Sequence, residues 1–315
     1  MVRIAATSGR VLAALLAVQL LFGINYVVSK FVLHAFPPLV WASGRIIIAS
    51  IIMLAVALLL RRKHPKPDRK FFVPLIFFAL LGTVINQASF LVGLNYTTST
   101  NSAILNTLIP IFTLLIVTLR GQEPATPRRV LGFVSAFVGV LIMRRVEEFT
   151  LSNTTWIGDL LTILNCLSYA IFLSYGKKFL EKHDPIWTTT WLFFYGSIGL
   201  TLLAIPDYSR FHMPVINSQL AWAMVFAIVG ATLLTYFLNF WALANAKSSM
   251  VALFIYLQPV VASFIAWIWM NETVGARTVL ASLFILIGFV MALSPEKRWY
   301  EVLLGLGRAF KPTKI

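Results

Sequence analysis

The chain repeats part of itself at a shift of 149 residues. Gly93–Met143 aligns without gaps on Ala242–Ala292, with 11 identities in 51 positions. Leu94 falls on Leu243, Ser99 on Ser248, Pro110 on Pro259, Glu123 on Glu272, Arg128 on Arg277 and Gly139 on Gly288. Composition bias would not supply paired mid-segment prolines followed by paired acids. An internal repeat in so apolar a chain predicts two related helical bundles around a shared central site.

Lipid must be the solvent for much of this molecule. Of its 315 residues 59% are hydrophobic and only 12% charged. Folding into water would leave too much apolar surface to hide. A helical span takes about 20 apolar residues at about 1.5 Å each. Runs bounded by charge, proline or polar clusters predict ten such helices, at about 11–33, 39–60, 71–94, 98–119, 127–143, 156–176, 186–205, 219–243, 248–270 and 276–293. The run Val11–Phe22 after Arg10 lacks a small-x-small cleavage site, so it reads as the first span rather than a signal peptide.

The net charge of +15 invites a nucleic-acid reading. Its lysines and arginines sit between apolar runs rather than along one face, and therefore argue against nucleic acid and for the positive-inside rule. With a cytoplasmic N-terminus, 20 of the 26 lie in inside segments and 5 outside, Arg45 being the one within a span. Both termini are thus expected on the cytoplasmic side. Five helices per half is an odd number, so the second half must enter upside down. The expected fold is all-α and integral to the membrane: ten transmembrane helices as two inverted five-helix repeats around a central cavity. The repeats occupy 10–145 and 156–293, followed by a cytoplasmic basic tail at 294–315. That tail reads either as an amphipathic segment on the inner leaflet or as a disordered extension.

Polar groups inside spans should turn away from lipid. They are Asn25, Tyr26, Asn86, Gln87, Asn106, Thr107, Asn165, Tyr169, Tyr236, Asn239, Tyr256 and Gln258. Interhelical hydrogen bonding and cavity lining both satisfy that requirement. Pro110 and Pro259 should interrupt their helices, freeing the carbonyls of Asn106 and Ile255 for a hinge, a cavity wall or a packing kink. Arg45 reads as a snorkelling or paired cation, or as an anchor for a substrate carboxylate. Glu123 and Glu272 each precede an arginine by five residues, Arg128 and Arg277. That spacing reads first as a structural salt bridge with helix-end capping, second as a gate.

The order and spacing of these features resemble EamA-domain proteins of the drug/metabolite transporter superfamily. The carriers of the resemblance are Phe22-Gly23-Ile24-Asn25-Tyr26, Phe36-Pro37-Pro38, Arg45, Gly93-Leu94-Asn95-Tyr96-Thr97, Pro110, Glu123, Gly132 and Gly139, then Ala242-Leu243, Gln258-Pro259, Glu272 and Gly288. Phe22 stands where the family commonly has tryptophan, and Leu192 stands opposite Arg45 in the second repeat. The resemblance implies a central substrate cavity and transport of amino acids or similar metabolites, often outward across a bacterial inner membrane.

From these residues we expect a secondary carrier, and no enzyme, moving a small polar metabolite by alternating access. Its substrate site is expected at Asn25, Tyr26, Arg45, Asn86, Gln87, Asn106, Thr107, Tyr169, Asn239, Tyr256 and Gln258. No phosphate-cradling Gly-rich loop with lysine occurs, so ATP is not a direct energy source. No cofactor or metal is expected: the four histidines are scattered and Cys166 stands alone. The expected partners are a small-molecule substrate and the bilayer, with monomer and homodimer both open. A polytopic enzyme acting on lipid and a membrane sensor are the competing readings.

Overall fold

The computed structural model describes residues 9–63, 68–97, 102, 105–143, 156–258, 260–261 and 275–293. Most of these are helical, and no strand occurs among them. Their helices are α1 Gly9–Leu33, α2 Pro38–Leu59, α3 Arg69–Tyr96, α4 Leu108–Leu119 and α5 Pro127–Met143. The second repeat supplies α6 Trp156–Leu180, α7 Pro185–Tyr208, α8 Ser218–Asn245, α9 Ser248–Leu257 and α10 Ala276–Leu293. Seven of them (α1, α2, α3, α6, α7, α8 and α10) are long and apolar enough to cross a membrane. The tail 294–315 lies outside the described residues.

Local chemistry sets the ends. Asp68, Asp184 and Asn217 cap α3, α7 and α8 by accepting backbone N–H groups of the first turn. Pro38 and Pro185 occupy the first helical position, where the missing N–H has no partner to lose. Gly121, at φ 62°, closes α4, with its N–H on the Thr118 carbonyl at 2.8 Å.

The fourth span is helical at 105–106 and again from Leu108, with a turn at Thr107 between them, three residues before Pro110. Pro110 has no N–H to offer the Asn106 carbonyl, four residues back. Pro259 lies outside the described residues.

Equivalent helices of the two repeats pack on each other. In α5 and α10 the meeting is backbone to backbone. A Cβ added at Gly132 would stand 2.7 Å from the Gly288 carbonyl, and one at Gly139 would stand 2.8 Å from that of Ala281. Ser135 donates to the Phe284 carbonyl at 3.1 Å between those two crossings. The repeat maps 132, 135 and 139 onto 281, 284 and 288. The contacts therefore exchange under a local two-fold, and the helices run antiparallel. Apolar attraction between helices is weak in lipid, so close approach of small residues has to hold such a pair.

α2 and α7 are antiparallel too. Ser43 bonds Tyr208 at 2.7 Å near one end, and Trp187 donates to the Arg62 carbonyl at 3.2 Å near the other. The segments assigned inside by charge gather at one end. There Arg62 meets Asp184 at 3.6 Å, Lys177 donates to the Ala246 carbonyl at 2.6 Å, and Arg120 to that of Ser174 at 2.8 Å. At the opposite end Phe36 packs on Phe211 and Thr97 donates to Asp159. The outer surface is apolar, with Leu59, Leu119 and Trp222 about three-quarters or more exposed. Amides and hydroxyls sit inside instead, which is the arrangement lipid demands.

Candidate functional site

A cavity lies between the two repeats. α1 contributes Gln19, Phe22 and Asn25; α2 contributes Arg45; α3 contributes Asn86, Gln87 and Phe90. Asn106 and Ile109 come from the start of the fourth span. α6, α8 and α9 close the wall with Asn165, Tyr169, Asn239, Tyr236 and Gln258 among others. Both repeats therefore build one site.

Its polar groups form a directed chain. Arg45 donates through Nη2 to Oε1 of Gln87. Gln87 Nε2 donates to the Tyr236 hydroxyl at 2.8 Å and more weakly to Asn86 Oδ1 at 3.4 Å. Asn86 donates to Asn165, and Asn165 to Asn106 at 2.8 Å. Every amide in that sequence turns its oxygen back toward Arg45. The Tyr236 hydroxyl in turn donates a hydrogen bond to the Gly82 carbonyl at 3.1 Å. Two further pairs complete the wall: Asn239 with Tyr169, and Gln258 donating to Gln19 at 2.8 Å.

Gln87 and Tyr236 are equivalent positions, 149 residues apart. Each follows a π-helical segment, Leu80–Ile85 in α3 and Phe226–Leu234 in α8. A π turn advances the helix face by less per residue than an α turn. It often marks functional positions.

Of the residues expected in the site, Asn25, Arg45, Asn86, Gln87, Asn106, Tyr169, Asn239 and Gln258 border this cavity. Thr107 does not; it is the buried N-cap of α4. Tyr256 does not either. It lies in a 3₁₀ turn, Phe254–Leu257, whose tighter winding turns its ring onto Phe133 of α5, at 6.3 Å between centroids. The Tyr26 side chain lies outside the described residues. Arg45 does not snorkel: it is 3% exposed.

Gln19, Phe22 and Phe90 were absent from the expected site, as were Asn165 and Tyr236, which were read only as inward-facing. An amide in the middle of the apolar run of α1 was the signal for Gln19.

Glu123 forms an ion pair with Arg129. Arg129 folds back over the Pro124–Thr126 turn, donating also to the Pro124 carbonyl at 3.0 Å. The same carboxylate accepts the Ser249 hydroxyl and, at 3.3 Å, the Ser249 N–H. It thus sits at the N-terminus of α9, where the helix dipole favours an anion. Arg277 donates to the Ile142 carbonyl at 2.6 Å; Glu272 lies outside the described residues.

Residues 9–145 and 156–294 each match the EamA-like transporter family. The chain belongs to that family. This membrane transporter is 28% identical over 282 residues to an uncharacterised transporter of Archaeoglobus fulgidus, covering 88% of this chain and 95% of that one. It is 22% identical to the uncharacterised transporter YoaV of Bacillus subtilis, covering 90% and 96%. The S-adenosylmethionine uptake transporter of Rickettsia prowazekii is 23% identical over 280 residues, covering 87% and 89%. A solved crystal structure shares the fold at a TM-score of 0.72 and 14% identity, over 90% of this chain and 96% of its own.

Proposed function

We propose that this transporter is a secondary carrier moving a small polar metabolite across the cytoplasmic membrane by alternating access. Ten spans in two inverted repeats, with both termini inside, are part of that reading. The carrying observation is the cavity itself: polar groups from both repeats converge in the interior of a protein whose outer face is apolar. Rocking one repeat against the other would expose such a site to each side in turn.

Purified protein in vesicles, with no other component, should move a labelled metabolite down its gradient. Export is the expected direction, read in vesicles of known orientation. Absence of flux for every member of a broad metabolite panel would refute the carrier reading. Topology has its own test. In a Cys166→Ala background, cysteines at Lys63 and Val215 should label from opposite sides of the membrane; labelling of both from outside intact cells would refute the inverted ten-span arrangement.

A further inference from the structure

Toward the end assigned inside by charge, the cavity reaches Leu173 of α6 and Val251 of α9. One short strip of α6 closes it there. The Ser248 hydroxyl donates to the Leu173 carbonyl at 2.8 Å. Arg120, at the end of α4, donates to the Ser174 carbonyl at 2.8 Å and lies over the Tyr175 ring, 3.4 Å from its centroid. Lys177 donates to the Ala246 carbonyl at 2.6 Å and to that of Leu243 at 3.3 Å. Residues 173–177 thus hold the α8–α9 turn and the end of α4 at once.

These bonds can open at little cost. The Leu173 and Ser174 carbonyls lie within α6, where each already accepts the N–H four residues on. Losing Ser248 or Arg120 leaves both paired. Leu243 and Ala246 stand at the end of α8, where the water admitted by opening can replace Lys177. Lys177 itself keeps Glu181 of its own helix, at 2.7 Å. The other end of α6 has no such reserve. A Cβ added at Gly158 would stand 2.6 Å from the Thr97 nitrogen and 2.7 Å from the Gly93 carbonyl, and Thr97 donates to Asp159 at 2.6 Å. That end is held on α3 backbone to backbone.

We propose that residues 173–177 of α6 are the inner gate of the carrier. The contacts from Ser248, Arg120 and Lys177 keep the cavity shut to the cytoplasm, and their joint release opens it. This rests on the carrier reading above and assigns where its inward-facing state arises. The α8–α9 turn and the end of α4 leave the strip as one body, because Glu123 caps α9 through Ser249 from the turn that follows α4.

The test reads access to the cavity floor. In a Cys166→Ala background, Val251→Cys would be exposed to an impermeant maleimide in inside-out membrane vesicles. Adding Lys177→Met should speed its labelling about fivefold or more, the population change that one lost hydrogen bond brings. Arg120→Gln should act in the same direction, and it decides alone if Lys177→Met yields no folded protein. Lys177→Arg, which can still reach the carbonyls, should keep the slow rate. Ala57→Cys, fully buried in α2 away from the strip, should stay unreactive in every background.

An unchanged rate at Val251→Cys in the unlatched variants would overturn the gate. So would equal gains at Ala57→Cys, which would mean general loosening. Flux assays on the same variants separate the two readings. Flux of a labelled metabolite with unchanged labelling refutes the gate and spares the carrier. Faster labelling with no flux across a broad metabolite panel refutes the carrier and leaves the strip as the part that opens.

Discussion

The repeats meet in two unlike ways. At α5 and α10 they touch through glycine and alanine, backbone on backbone, with a single hydroxyl-to-carbonyl bond between the crossings. At α3 and α8 they meet through Gln87 and Tyr236, two different side chains at equivalent positions, beside an open cavity. The first contact is nearly symmetric and has no room to change. The second departs from symmetry and is polar. Symmetric packing suits a seam that holds the halves together. Unequal side chains suit a site that must recognise one asymmetric ligand.

Filling the seam should do the most damage. In Gly288→Leu the new side chain would start against the backbone of Ala136 and the Gly132 carbonyl, a clash that neighbours cannot relieve by changing rotamer. Overpacking against movable side chains already costs about 1–3 kcal/mol, and here backbone must shift. Little monodisperse protein should survive extraction in size-exclusion chromatography. A well-folded variant would mean that α5 and α10 separate easily, which removes the contrast.

The cavity side should tolerate substitution in fold but not in flux. Gln87→Glu would give Arg45 a permanent internal partner. Transport should fall at least about tenfold while the melting temperature holds or rises, the pattern of a satisfied charge that no longer needs substrate. Unchanged transport would show that Arg45 plays no part in binding.

Tyr236→Phe probes the same contact more gently. It removes one hydroxyl that joins Gln87 to the Gly82 carbonyl. About 1 kcal/mol of stability should go, with a several-fold rise in half-saturation concentration in vesicle flux. A change in melting temperature with no change in flux would make this bond ordinary glue.

Ser249→Ala should have the smallest effect. Glu123 keeps Arg129 and the Ser249 N–H, so the loss is one hydroxyl bond of about 1 kcal/mol. Thermal unfolding should show a shift of a few degrees at most. A large fall in flux at normal stability would move this contact from helix cap to gate.

Much of the scaffold was legible because lipid imposes simple rules. The limits of α1, α2, α6, α7 and α10 follow from where apolar runs meet proline, charge or caps such as Asp184. The polar site was partly legible for the same reason: an amide such as Asn86 or Asn239 within a span has to face inward. What failed depended on local winding. Periodicity cannot reveal that Tyr256, in a 3₁₀ turn, packs on Phe133 rather than bordering the cavity. Nor does five-residue spacing say that the chain will double back and give Glu123 to Arg129. Those outcomes are set by a few backbone angles and by which neighbour arrives first.

The widened turns of α3 and α8 carry a historical consequence. Leu80–Ile85 maps by the repeat onto residues 229–234, which fall within Phe226–Leu234. Two independent acquisitions at one register would be a coincidence. A single origin places the irregularity in an ancestral half-length gene, before duplication joined two copies. On the inverted arrangement proposed above, that ancestor would have had to insert in both orientations and pair about a two-fold axis to enclose anything. Fusion then freed each copy to drift alone, and a glutamine could face a tyrosine where two identical residues once stood.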